Sequence, residues 1–269
     1  ADEARTGAFA EAIEAVVVPG MRVADLGCGT GVLAFFAARR GARVWAVERH
    51  PELVAAARSF LERNGADTVE VVQADAHHWL PPEPVDVVIC EMLHVGLLRE
   101  HQIQVLDAFA RGHLERFGSI PRFLPEAIVQ AVQPVEQDFG FSGYAAPVPV
   151  FQDGRCEQPR TTELGAPAAY QSLLYETHRT VDISWTGRVR IETAGHLNAL
   201  RFITKNLLAI SATRRTSIDW LMNYLVLPLA ETVTVAAGDT VEISFAYEAG
   251  GPIASVDPRA SVVAAAATG

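Results

Sequence analysis

Val23-Ala24-Asp25-Leu26-Gly27-Cys28-Gly29-Thr30-Gly31 is followed by a helix-like stretch and then by Val44-Trp45-Ala46-Val47-Glu48. An apolar strand runs into a glycine-dense turn, the turn opens a helix, and a second apolar strand closes on a carboxylate. That order predicts the nucleoside-binding first half of a doubly wound sheet, where a ligand lies across the carboxyl ends of the strands. The glycines let backbone come close to the ligand, and Glu48 is placed to accept hydrogen bonds from both ribose hydroxyls.

The spacing narrows the nucleoside. A dinucleotide fingerprint reads G-x-G-x-x-G, its third glycine packing helix on strand; here the order is Gly27-x-Gly29-x-Gly31, and Val32 stands where that third glycine belongs. No lysine follows, so a phosphate-cradling P-loop is excluded. The run Asp-Leu-Gly-Cys-Gly-Thr-Gly resembles the cofactor loop of class I S-adenosylmethionine (SAM) methyltransferases. The resemblance implies SAM as cofactor and S-adenosylhomocysteine as product. It assigns Asp25, Gly27, Gly29, Gly31 and Glu48 to the cofactor. A Rossmann turn without a nucleotide is the bland alternative.

At 269 residues, 49% of them hydrophobic, the chain has ample material for a core in one large domain or two smaller ones. A net charge of −10 argues against a broad phosphate-binding face, so no nucleic-acid partner is expected. Cys28, Cys90 and Cys156 are odd in number and lack C-x-x-C spacing, which fits reduced thiols in a cytoplasmic enzyme. The sequence opens with no signal-peptide pattern, and no apolar run is long enough to span a bilayer, so no membrane association is expected. His77-His78 reads as a surface pair, and with scattered cysteines it forms no ligand set; no metal is expected.

From about residue 8 to 118 strands and helices alternate. Strands are predicted at Met21–Asp25, Arg43–Glu48, Val69–Gln73 and Val85–Cys90, and helices at Gly31–Arg40, Pro51–Asn64 and Arg99–Arg116. From Ala127 onward the segments turn β-rich: Ala127–Val132, Thr180–Ser184, Arg188–Thr193, Asn198–Thr204, Leu207–Thr213, Tyr224–Leu229 and Thr240–Tyr247. Helical turns are expected only near Ala168–Tyr175. The Pro- and Gly-rich stretch 140–167 reads as an extended loop or insertion. The expected class is therefore α/β, a Rossmann-like SAM-binding domain (1–120) followed by an antiparallel β-barrel domain (121–252) and a weakly packed tail (253–269).

After the fourth strand the chain reads Cys90-Glu91-Met92-Leu93-His94-Val95-Gly96-Leu97-Leu98-Arg99-Glu100, two glutamates nine positions apart at the carboxyl edge of the sheet. This loop resembles the double-glutamate loop of protein arginine methyltransferases, S-E-W-M-G-Y-x-L-x-x-E, with both glutamates in register. Asp2-Glu3-Ala4-Arg5-Thr6 resembles the family's D-E-x-R-T segment, which implies that Arg5 meets the SAM carboxylate. Ser119-Ile120-Pro121 falls where family members carry an apolar-Pro connector. Ile218-Asp219-Trp220 resembles the T-H-W (or F-S-W) loop. The same resemblance implies a dimerisation arm, hence a homodimer through residues 137–176.

The departures shape the expected acceptor. An aromatic after the first glutamate and a tyrosine four residues on wall a guanidinium in the family; here Met92 and Val95 stand there, and His94 replaces a glycine. Glu91 and Glu100, with His94, are the expected catalytic residues, since carboxylates grip cations or take protons and an imidazole titrates near neutrality. A strand-end charge, a helix-start charge and a solvent-facing histidine are the plain alternatives. Asp75, with Ala76 beside it, is expected at the adenine amino group, and Glu91 also next to the cofactor. Met92, Val95, Asp219 and Trp220 are expected to meet substrate, the alternatives being an Asx turn at Asp219 and a core position for Trp220. The leading expectation is methyl transfer to a nitrogen or activated carbon of a small-molecule acceptor, such as an indole-type heterocycle in specialised metabolism. The alternatives are a protein arginine N-methyltransferase and a non-catalytic SAM-binding subunit.

Overall fold

The computed structural model describes residues 2–211, 213 and 215–263. The first helix, α1 (Glu3–Val16), is one that the alternation above does not contain. Asp2 caps it by accepting from the Arg5 amide, and Phe9, Ala12, Ile13 and Val16 bury one face at helical spacing. There follow β1 (Arg22–Leu26), α2 (Val32–Arg39), β2 (Arg43–Glu48), α3 (Pro51–Arg63), β3 (Val69–Gln73), β4 (Val87–Cys90), α4 (Gln102–Phe117) and β5 (Arg122–Leu124). Pro51 opens α3 with its φ already helical, and Gly118, left-handed at φ 76°, closes α4.

These five strands form one parallel sheet in the order β3-β2-β1-β4-β5. Helices cover both faces, so β1, β2 and β4 are apolar almost throughout. The chain steps outward from β1 to β3, then crosses to β4 on the other side of β1. The loops after β1 and β4 thus part in opposite directions and open a crevice at their carboxyl ends. Because β5 joins this sheet, the parallel half extends to Leu124 rather than ending at residue 120, and Ile120-Pro121 precedes its last strand.

The remainder is antiparallel, as expected. Its strands are β6 (Ala127–Gln137), β7 (Gly140–Phe141), β8 (Tyr144–Ala145), β9 (Val150–Gln152), β10 (Thr161–Glu163), β11 (Ala168–Leu174), β12 (Asp182–Arg190), β13 (Gly195–Ser211), β14 (Thr216–Leu221), β15 (Tyr224–Val235), β16 (Thr240–Glu248) and β17 (Arg259–Val262). The large sheet runs β10-β6-β13-β15-β9, with β11 also on β6 and β14 on β13; β12-β16-β17 form a second sheet and β7-β8 a hairpin. The segment 168–175, expected to hold helical turns, is strand β11, because its backbone pairs along β6. After Pro252 the chain makes one 3-10 turn and adds β17 to β16, so residues 259–262 are part of a sheet; residues 264–269 of the expected tail lie outside the described residues.

One hydrophobic core runs through both halves, joining Leu26, Val88 and Phe109 to Phe123, Phe202, Leu227 and Phe245. A second gathers α1 and α2 on the parallel sheet and takes in Leu208 and Ala209 of β13. The β domain is thereby fixed against the carboxyl edge of the parallel sheet.

Candidate active site

The glycine turn is built as its residue types require. Gly27, Gly29 and Gly31 have φ of 71°, 55° and 83°, the left-handed region in which a side chain is strained. The Gly27 and Cys28 amides both donate to the Val47 carbonyl at 2.9 Å, which ties the turn to β2. Glu48, 6% exposed, then clamps it: one carboxylate oxygen accepts from the Gly29 amide at 3.1 Å and the other from the His50 amide at 2.9 Å. A side chain at Gly29 would point into open space, whereas one at Gly31 would lie 3.1 Å from Leu61. Gly31 therefore packs α2 on α3 and does not line the crevice.

Asp25 also serves from behind. It is 1% exposed, does not line the crevice, and accepts from the Ala34 amide at 3.0 Å, so it caps α2 beneath the turn. Burial, opposed by the Ala34 amide and assisted by the charges of Glu91 and Glu48, pushes its pKa up to about 7.

Above the turn lies a cleft of roughly 470 Å³, within the range of small-molecule sites. Arg5, Gly27, Gly29, Glu48, Asp75, Ala76, Glu91, Met92 and Glu100 all line it, so most of the residues singled out in the sequence meet here. His50, His77 and His101 line it as well. Sequence reading placed His77 on the bare surface. The missed signal was position, since His50 and His77 each follow an acidic strand-end residue by two. Asp75 accepts from both the amide and the ring Nδ1 of His77 at 2.9 Å, bonds that hold its carboxyl below the usual range.

The donor set suits SAM. The buried Glu48 carboxylate stands beside the glycine turn, the Arg5 guanidinium and the Asp75 carboxylate line the same cleft, and Gly29 offers it backbone with no side chain in the way.

Glu91 follows β4 directly, and Arg5 Nη1 donates to its two carboxylate oxygens at 3.1 and 3.0 Å. Burial raises the Glu91 pKa, the Arg5 guanidinium opposes this, and the charges of Glu100 and Asp2 add to the rise. Between the glutamates the backbone is strained, with Leu97 at φ 57° and Arg99 at φ 62° beside Gly96 at 71°. The β domain holds that strain in place. Thr204 Oγ1 accepts from the Gly96 amide at 2.9 Å, the Leu97 carbonyl accepts from Gly250 at 2.7 Å, and the Arg99 amide donates to Gly251 at 2.8 Å.

Besides Asp25 and Gly31, four more expected site residues do not line the cleft. The turn at Gly96 and Leu97 carries Val95 inward, where it is 3% exposed in the core. His94 does not line the cleft; its Nδ1 is 3.0 Å from the Val95 carbonyl, its ring meets the edge of Phe151 at 5.7 Å, and burial lowers its pKa. Asp219, on β14, pairs with Lys205 of β13 at 2.9 Å, and Trp220 packs against the core around α1. Neither lines the cleft. Among the described residues no cluster of His, Cys, Asp or Glu is arranged to hold a metal ion, and no helix is long and apolar enough to cross a membrane.

Residues 23–114 match a family described as a methyltransferase domain, the span that carries the glycine turn, Glu48 and both loop glutamates. The chain belongs to the class I SAM-dependent methyltransferases. SAM is its methyl donor. An uncharacterized protein of Methanothermobacter thermautotrophicus is 33% identical over 259 residues, covering 95% of this methyltransferase and 93% of that protein. An arginine N(omega)-methyltransferase of Streptomyces achromogenes is 35% identical over 119 residues, 42% of this chain and 33% of that one. The fold is that of the Trypanosoma brucei PRMT1 enzyme-prozyme heterotetrameric complex with AdoHcy: TM-score 0.72 at 16% identity, over 97% of this chain and 94% of that one.

Proposed function

We propose that this methyltransferase transfers the SAM methyl group to a guanidinium nitrogen of arginine, free or within a peptide. The observation that carries the reading is the Glu91 carboxylate, which already accepts two hydrogen bonds from one guanidinium nitrogen, that of Arg5, with the Glu100 charge close enough to raise its pKa. The half-buried Glu91 and the exposed Glu100 carboxylates repel each other across the cleft lining, and a delocalised cation with several N–H donors relieves the repulsion. An indole offers one donor and no charge. The indole expectation also needed Met92, His94 and Val95 to wall one pocket, and only Met92 lines the cleft. The Streptomyces relative is named for arginine, which supports the guanidinium reading.

In this reading Glu48 receives the ribose hydroxyls, Asp75 and Ala76 the adenine edge, and Arg5 the amino-acid carboxylate of the cofactor. SAM supplies an electrophilic methyl on a sulfonium. Glu91 and Glu100 orient the acceptor N–H groups, concentrate lone-pair density on the nitrogen, and take the proton released as the new C–N bond forms. The insertion 137–176 exposes Phe141, Tyr144, Val148 and Phe151, and its apolar surface supports a homodimer through this arm.

The test is transfer of label from SAM to free arginine, to an arginine peptide and to indole. Label on either arginine acceptor is expected, and Glu100→Gln should cut turnover by roughly two orders of magnitude, the scale of general-base loss. Transfer to indole with none to arginine would overturn the reading.

A further inference from the structure

β4 loses a neighbour just before the site. β5 pairs with it only as far as Ile89↔Leu124, and Glu91 stands two residues further on. The side chain of Gln102 takes the place of the missing strand. Its Nε2 donates to the Cys90 carbonyl at 2.9 Å, and its Oε1 accepts from the Met92 amide at 3.0 Å. A residue on a parallel strand engages its partner in this pattern, bonding the carbonyl before it and the amide after it. Gln102 is 1% exposed and is the first residue of α4, two positions past Glu100. His101, which precedes it as the N-cap, makes no capping bond through its side chain.

We propose that Gln102 is the positioning residue of the methyl-transfer site. Its amide acts as a one-residue parallel strand for Glu91 and ties that glutamate to the segment bearing Glu100, fixing the spacing at which the two carboxylates meet the acceptor. The inference rests on the reading that both glutamates handle the acceptor. Gln102 itself touches neither donor nor acceptor. Its bonds are side chain to backbone, so no strand periodicity announces them, and the amide matters because it donates and accepts at once. Leucine fills its volume with neither bond. A glutamate there reproduces both bonds only while protonated, its hydroxyl facing the Cys90 carbonyl and its carbonyl the Met92 amide.

The experiment compares wild type, Gln102→Leu, Gln102→Glu, Glu100→Gln and the double variant Glu100→Gln/Gln102→Leu, with arginine as acceptor. Gln102→Leu should lower kcat about a hundredfold, the usual consequence of misplacing a catalytic group by an ångström, with S-adenosylhomocysteine affinity within about threefold of wild type. For Gln102→Glu, the ratio of its kcat to that of wild type should climb as pH falls. Asp2, Arg5, Asp25, Glu91 and Glu100 are the charged groups that act on Cys90 and Glu91, the residues whose backbone Gln102 bridges, and His101 directly precedes it; the carboxylates among them disfavour ionisation of the introduced carboxyl, so the ratio climbs at a higher pH than a free carboxyl would give. The double variant should lose less than the product of the two single losses, since Gln102 and Glu100 act on the same Glu91–Glu100 spacing. If Gln102→Leu fails to fold, the pH ratio of Gln102→Glu decides. Turnover of Gln102→Leu within about threefold of wild type, a flat ratio, or fully multiplicative losses would overturn the positioning role. A Glu100→Gln variant with normal turnover would instead overturn the acceptor reading and this inference with it.

Discussion

Replacing Glu48 probes the cofactor half most directly. Both of its oxygens are committed to backbone donors, one to Gly29 at 3.1 Å and one to His50 at 2.9 Å, in a side chain only 6% exposed. A carboxylate oxygen has a second lone pair for each ribose hydroxyl. Hydrogen bonds to a charged group contribute about 1.5–3 kcal/mol each. Two at the lower value give about 3 kcal/mol, on the order of a hundredfold in Kd. Glu48→Ala should weaken S-adenosylhomocysteine by that factor in titration calorimetry. Glu48→Gln should fare no better, because its NH2 must face a backbone N–H at either Gly29 or His50. Thermal melts of both variants check that the fold survives. A Kd within about threefold of wild type in Glu48→Ala would refute the assignment of Glu48 to the ribose.

Three further outcomes follow from the geometry. Asp25 is held protonated up to about pH 7 in the fold but ionises near its ordinary 3.8 when unfolded, so the unfolded state sheds the proton first and stability falls as pH rises between those values. Asp25→Asn keeps the acceptor for Ala34 and cannot ionise; its melting temperature minus that of wild type should widen from about pH 5 to about pH 8, and a constant gap refutes the burial argument. His94→Asn should change kcat by less than about tenfold, since the ring lies off the cleft; a larger loss confined to neutral pH would restore it as a base. Tyr144→Asp, at a residue 73% exposed on the arm, should turn a dimer into a monomer in sedimentation, and an unchanged species would remove the arm from the assembly.

What could be read from the sequence was local. The glycine turn, Glu48, Asp75 and Glu91 announce themselves by residue type at or just past a strand end, Glu100 by its spacing from Glu91, and all but Asp25 and Gly31 of the cofactor set reach the cleft. The failures are where distant partners decide. Gly187 divides two predicted strands, yet β12 runs through it because its backbone pairs along β16, and the Trp185 ring fills the space a side chain there would take. Asn198–Thr204 and residues 207–211 of the next predicted strand are one strand, β13, whose alternation is blurred by a register shift near Leu207 against β14, while residue 212 lies outside the described residues. Ala168–Leu174 is taken into β6 despite its alanines. For α1 the signal was present, a capping Asp2 and the spacing of Phe9, Ile13 and Val16. His94 and Val95 were misplaced because nothing in their identity reveals the left-handed residues that turn the loop behind them.

The packing of α1 has a bearing on how the enzyme is made. This helix carries Arg5 to the cofactor cleft, yet its buried face shares a core with Leu208 and Ala209 of β13 and with Trp220 of β14. On the ribosome α1 emerges long before β13 and β14, and domains tend to organise in chain order. The Arg5 guanidinium therefore waits for β13 and β14 before it is held at the cleft. A nascent methyltransferase cannot close its cofactor site early, because α1 has no complete seat until β13 and β14 have been made.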